Sequence, residues 1–129
     1  MKTSNVIETS SSTILLDEFG IVHIIKKFYS TEDLNDAKEN IDAILELTEQ
    51  KSHPAYIDLT NMKGQNEDAI KYYAEMAKTA NCFACAFLIG NMQSTAIGIS
   101  NIRHGDPKIN TALFTVKELA IEWLKKYIQ

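Results

Sequence analysis

The sequence predicts an α/β domain in which an N-terminal β-hairpin is followed by βα units. The expected result is a mixed, mainly parallel five-stranded sheet with about four helices. Three observations lead there. An apolar, β-branched run is interrupted by "DEFG", as in two strands joined by a turn. Further apolar runs alternate with stretches whose apolar positions recur at three and four. Each later strand is followed by residues that start helices. At 129 residues the chain has the length of one domain able to bury a core, and neither a repeat nor a linker divides it.

Residues 1–12, "MKTSNVIETSSS", are polar and are expected to form a flexible arm. "STILLDEFGIVHIIKKF" is the hairpin, with Gly20 as the permissive turn residue. In "STEDLNDAKENIDAILELTEQ" the positions Leu34, Ala37, Ile41, Ile44, Leu45 and Thr48 form one stripe, with Ser30 or Thr31 as the cap and Glu32, Asp33 and Asp36 at the positive end of the helix dipole. "AYIDL" after Pro54 reads as a buried strand. Asn66 is expected to cap a second helix that turns Ile70, Tyr73, Ala74 and Ala77 inward.

"CFACAFLIG" reads as a central strand, and "MQSTAIGISNIRHG" as a weaker helix interrupted by Gly98 and closed by Gly105. "INTALF" is the last strand. The last helix lies in "TVKELAIEWLKKYIQ", with Thr115 and Glu118 at capping-box spacing, Leu119, Ala120, Trp123 and Tyr127 on one face, and Lys125 and Lys126 at its negative end.

Composition narrows the function. Apolar residues at 45% and charged residues at 23% describe a folded globular chain. A net charge of -4, with Arg103 the single arginine, leaves little to track a phosphate backbone, so nucleic acid is not an expected partner. No apolar run approaches the ~20 residues of a membrane span, and the first residues lack a secretory signal's apolar core and cleavage site, so a cytoplasmic address is expected.

Cys82 and Cys85 form a C-x-x-C. Residues three apart on a regular strand point to opposite faces, and no second pair exists to complete a zinc site, so both are expected to be small buried hydrophobes. His23, His53 and His104 are scattered over different elements, so neither a metal nor another cofactor is expected. "RHGD" at Arg103, His104 and Asp106 carries an acid–base group without a nucleophile at an elbow and reads as a helix end. "GNMQSTAIG" follows a strand and precedes a helix, which makes Gly90, Asn91 and Ser94 a candidate small-ligand turn; Ser94 or Thr95 as a helix cap is the plainer explanation. The acidic series Glu32, Asp33, Asp36, Glu39, Asp42, Glu46 and Glu49, against Lys38 alone, reads as a solvated face that could also steer a basic partner. Tyr72, Met76 and Met92 are contact candidates if exposed.

"GIVHI", "DAKENI", "YIDLTNMK", "LIGNMQSTAIG" and above all "TALFTVKELAIEWL" give the chain, from about Thr13 to its end, a resemblance to bacterial STAS-like (SpoIIAA-like) domains. These are relatives of the sulphate-transporter and anti-sigma-factor-antagonist module, and the closest likeness is to a stand-alone subgroup. The resemblance implies a protein-interaction module in regulation or signalling, with a phosphoacceptor serine at the start of the helix after the "YIDL" strand. Here Asn66, Glu67 and Asp68 occupy that neighbourhood and no hydroxyl stands at the expected place. Two acids in a first helical turn complement the dipole without further purpose. The sharper expectation is that they imitate a phosphorylated state, or mark a surface of Thr60, Asn61, Lys63, Asn66, Glu67 and Asp68 that docks a protein partner.

The alternative expectation is a small-molecule binder for an anionic or lipid-like ligand at the Gly90 turn, since ligands of open α/β sheets gather at the carboxyl ends of strands. An exposed apolar patch beside Asn61–Asp68 favours docking; a deep cavity favours the ligand. A homodimer is expected under both, because the hairpin leaves an open strand edge.

Overall fold

The computed structural model describes residues 5–28 and 31–128. Within them the order is β1 (Val6–Glu8), β2 (Ser12–Leu16), β3 (Val22–Lys26), α1 (Leu34–Thr48), β4 (His53–Asp58), α2 (Glu67–Thr79), β5 (Cys82–Leu88), α3 (Met92–His104), β6 (Asn110–Phe114) and α4 (Lys117–Lys125). The strands form one sheet in sequence order, β1-β2-β3-β4-β5-β6. The first three are antiparallel, and the pairs from β3 to β6 are parallel.

The hairpin turn follows from one carboxylate and one glycine. Asp17 Oδ1 accepts from the N–H groups of Phe19 and Ile21, and Gly20 sits at φ 86, where a side chain would be strained. Helix α1 packs on β2 and against α2, burying Ile41, Ala43, Ile44 and Leu47 with Ile14, Val22 and Ile24. Helix α3 follows beside α2. Helix α4 packs on β4, β5 and β6, where Ala120 and Leu124 meet Ile21, Tyr56, Ala84 and Ala86. Alternation along β4 therefore sends Tyr56 toward α4 and its neighbours Ala55 and Ile57 toward the α1–α2 layer.

The sheet has a sixth strand, and it comes from the expected arm. Val6–Glu8 pairs with β2, and in the following "TSSS" Thr9, Ser11 and Ser12 are buried while Ser10 is exposed. Thr9 donates to Asn40 and Ser11 to Glu32, so these buried hydroxyls are satisfied, and the exposed Ser10 donates to Glu39. Residues 1–4 of that arm lie outside the described residues.

Helix α1 is capped by Asp33, not Thr31: Asp33 and Asp36 form a reciprocal capping box. Thr31 stands too far upstream because Glu32 is held extended against the α2 entry loop, its N–H donating to Gly64 O and its carbonyl accepting from Asn66 N–H. Ser30, the other expected cap, lies outside the described residues. Asn66 occupies the N-cap of α2 without a side-chain hydrogen bond. Asn91 caps α3, with Ser94 as its reciprocal partner three residues on. Helix α4 begins one residue later than the Thr115–Glu118 spacing implies; Val116 holds its N-cap, and Leu119 is 60% exposed instead of facing inward.

The β4–β5 ladder contains a register shift. His53 pairs with Cys82 but Pro54 with Ala84, so Phe83 has no partner in β4. One extra residue inverts the facing of what precedes it. Cys82 and Cys85 therefore lie on the same side, their sulfurs 3.4 Å apart, and the expectation of opposite faces fails because it assumed a regular strand.

Candidate functional site

The residues expected at the site gather at the carboxyl ends of β4 and β5. Asp58, the last residue of β4, accepts at Oδ1 from both the N–H and the hydroxyl of Thr60. Asn91 then donates through Nδ2 to Thr60 O, and Gly90 lies so near that a Cβ there would stand 3.2 Å from Thr60 Cγ2. The two candidate groups, one around Thr60 and one around Gly90, thus form a single rim. Asn61, Lys63, Asn66, Glu67 and Asp68 are all exposed on it. Glu67 pairs with Lys71 one turn along α2 at 3.2 Å. At the other group, the N–H groups of Gly90 and Asn91 both donate to the buried Ser94 Oγ, so they are engaged within the turn.

Two large apolar side chains flank this rim. Phe28 is 78% exposed with Lys63 Nζ over its ring, and Met92 is 89% exposed at the start of α3. The pairing of Phe28 with Lys63 joins the end of the hairpin to the loop after β4, a proximity no local pattern encodes. Tyr72 and Met76 pack partly buried against the α1 core.

Beneath the rim lies a buried polar network that the sequence pattern conceals. Glu32, read as a dipole-compensating acid, is fully buried. Its Oε2 accepts from Lys26 Nζ at 2.9 Å, Ser11 Oγ at 2.9 Å and Asn40 Nδ2 at 3.1 Å, and its Oε1 from Gln65 Nε2 at 2.7 Å. Lys26 Nζ and Asn40 Nδ2 both donate to Tyr73 Oη. Asn101 on α3 donates to Gln65 Oε1 at 2.8 Å. Asp36 is also buried, so the acidic series on α1 is not one solvated face. Burial opposes charge on Glu32, but Lys26 and the hydrogen bonds from Lys26, Gln65 and Ser11 outweigh it and hold the carboxyl below its ordinary range. Burial likewise opposes charge on Lys26, and the Glu32 carboxylate together with the hydrogen bonds Lys26 donates to Tyr73 and Glu32 overcomes it, so its pKa rises. Tyr73 is pushed up to about 12, chiefly by burial, and keeps its proton. Only the fold could identify this network, since its seven members come from seven separate elements and loops.

The network forms one end of a cavity of about 110 Å³ between the sheet and helices α1, α2 and α3. Ile41, Ile44, Ile57, Leu59 and Phe87 supply bulky apolar walls, and Ala74 and Ala77 on α2 leave the space. Lys26, Gln65, Tyr73 and Asn101 stand at the end near the rim; His53, Cys82 and Cys85 also line it. The lining does not include Gly90, Asn91 or Ser94. His53 Nδ1 donates to Lys51 O, and burial lowers its pKa, which favours a neutral ring. A periodic alanine pair on α2 was visible in the sequence, but periodicity cannot distinguish close packing from a void.

A family model described as "Domain of unknown function (DUF7793)" matches residues 14–128. Among solved structures, the chain is similar to the crystal structure of an uncharacterized protein from the DUF3478 family with a SpoIIAA-like fold from Shewanella loihica PV-4. The TM-score is 0.55 at 18% identity, covering 92% of this chain and 90% of that one, a likeness of fold. Comparison with curated proteins finds no match. No described helix is long and apolar enough to cross a membrane.

Proposed function

The chain belongs to the DUF7793 family and has a SpoIIAA-like fold, and from that premise we propose that it is a non-enzymatic STAS-like module that receives a small, mostly apolar molecule in the cavity beneath α2. The observation that carries this reading is the cavity itself: apolar walls with a few convergent polar groups at one end are the usual composition of a ligand site. Its location differs from the Gly90 turn considered from sequence.

The chemistry of the polar end favours a neutral guest. Lys26 is already paired with Glu32, so the site offers little uncompensated positive charge to an anion. What it offers is donors. Tyr73 Oη accepts two hydrogen bonds while its own proton has no acceptor among the described residues, and Lys26 has used two of its three N–H bonds. A compact aliphatic or aromatic molecule with one acceptor oxygen matches both ends. A cavity of ~150 Å³ holds benzene, so the guest would be of comparable or smaller size.

The test is an NMR titration of the full chain with cyclopentanol, close to benzene in size, compared with isobutyrate, an anion of the same number of heavy atoms. Saturable shifts at Ala74, Ala77 and Cys85 are expected with the alcohol and weaker ones with the anion, and an Ala77→Leu substitution should abolish both. Absence of saturable shifts at these residues with either probe would refute the reading.

A second reading is favoured by a different observation, the exposure of Phe28 and Met92 on either side of the rim. In it, Thr60, Asn61, Lys63, Asn66, Glu67 and Asp68 dock a protein partner in bacterial regulation, with fixed acids in place of a modifiable hydroxyl. Gln65 connects the two readings physically, because it belongs to the docking loop, bonds Glu32 and Asn101, and lines the cavity. Affinity capture should lose its specific partners in a Glu67→Lys, Asp68→Lys variant; an unchanged partner set would exclude this surface. A homodimer would use one of the two sheet edges, β1 or β6, since β1 covers the edge of β2 that the hairpin leaves.

A further inference from the structure

We propose that Cys82 and Cys85 are a reactive dithiol that a low-molecular-weight disulfide converts to a reversible intrastrand disulfide. The two sulfurs are 3.4 Å apart, and an S–S bond requires about 2.05 Å, so closure needs a movement of roughly 1.4 Å. The fold provides slack where this movement is needed. Phe83 is unpaired in the β4 ladder, and β6 begins its pairing only at Ala84, so Cys82 and Phe83 lack a β6 partner. Cys82 can shift toward Cys85 by tightening the bulge while the ladder from Ala84 onward stays in place.

Access and activation come from the same geometry. Both side chains are half-buried and line the cavity, so a small reagent can approach them without opening the sheet. Hydrogen bonding between the thiols separates their acidities. The Cys85 S–H supports a Cys82 thiolate and draws its pKa below the ordinary value, while the Cys85 thiol is raised well above it by Cys82 and by burial. Cys82, beside the bulge and without a β6 partner, is free to move onto a reagent and is the attacking sulfur; Cys85, held in the ladder against both Ala55 and Thr111, is the resolving one.

The exchange balances without another co-reactant. The Cys82 thiolate attacks one sulfur of R–S–S–R, forming the mixed disulfide Cys82–S–S–R and expelling RS⁻, which takes up the proton Cys82 gave up. Cys85 then loses its proton to solvent as its sulfur attacks Cys82 Sγ, and the second RS⁻ leaves and is protonated. The protein dithiol is oxidised by two electrons, and the small disulfide is reduced to two thiols.

The experiment exposes the reduced full-length chain to 2-hydroxyethyl disulfide and follows intact mass and iodoacetamide-reactive thiols. The wild type should lose two hydrogens and both reactive thiols without forming dimers, and dithiothreitol should restore them. Cys85→Ser should stop at the mixed disulfide, carrying one added hydroxyethylthio group, and Cys82→Ser should react far more slowly. A wild type that keeps both thiols under conditions that oxidise dithiothreitol, or that accumulates a stable mixed disulfide as Cys85→Ser does, would overturn the proposal. The wild-type measurement alone decides it if either variant fails to fold.

Discussion

Lys26 Nζ lies 2.9 Å from Glu32 Oε2, with the two side chains 4% and 0% exposed, so the end of β3 is tied to the entry of α1 by an ion pair withdrawn from water. Removing one partner leaves the other charge buried. Glu32→Leu should therefore cost about 3–5 kcal/mol in urea denaturation, whereas the Lys26→Met, Glu32→Leu double variant should lose clearly less than the sum of the single changes. Additive losses would show that the pair is not coupled.

The acid dependence of stability should have two windows. Burial depresses the folded pKa of His53 from 6.5, so its contribution is present above that value and is lost as pH falls through the depressed one. Glu32 is depressed from 4.5, so its contribution begins to fall only below that pH. Asp36 runs the other way: burial and the neighbouring Asp33 and Glu32 charges raise it from 3.8, against a lowering backbone hydrogen bond at Asp33, and its protonation offsets part of the acid loss. His53→Gln should flatten the fall of the urea midpoint that begins as pH drops below 6.5, while leaving the Glu32 window below 4.5 intact. An unchanged slope in the upper window would remove His53 as its source.

The capping boxes give a contrast between neighbouring residues. Asp33→Ala and Asn91→Ala each remove a side-chain acceptor from a helix start and should cost ~1 kcal/mol, within a range of about 0.5–2. Thr31→Ala and Thr115→Ala should stay within about 0.5 kcal/mol, because neither hydroxyl caps its helix. Denaturant midpoints of the four variants check this directly.

Gly20 isolates backbone strain from packing. A Cβ at this position meets nothing within 4 Å, yet φ is +86. Gly20→Ala should destabilise by about 1 kcal/mol, and Gly20→Asn by less, since Asn tolerates this region better. Equal stability of Gly20→Ala and the wild type would mean that the turn relaxes to another form.

Filling the cavity separates binding from folding. Ala77→Leu should abolish the cyclopentanol shifts and change stability by no more than about 1–3 kcal/mol, the cost of extra methylenes that find incomplete room. Retained binding would place the guest elsewhere.

The sequence by itself determined the alternation of elements, the turn at Gly20, the apolar stripe of α1 and the closure of α3 at Gly105, because these depend on side-chain period and local backbone preference. It also carried the resemblance to the SpoIIAA-like fold. It misread Glu32 as a dipole-compensating acid, and Thr115 as a cap, because a residue's partners and the first helical turn are set by what the backbone is bound to elsewhere. Tertiary structure alone decided that Val6–Glu8 pairs with β2, that Glu32 is buried against Lys26, and that Phe83 bulges so that two cysteines meet. Each of these depends on contacts between segments distant in sequence, and the cavity depends on space that those segments leave unfilled. Local periodicity carries no information about either.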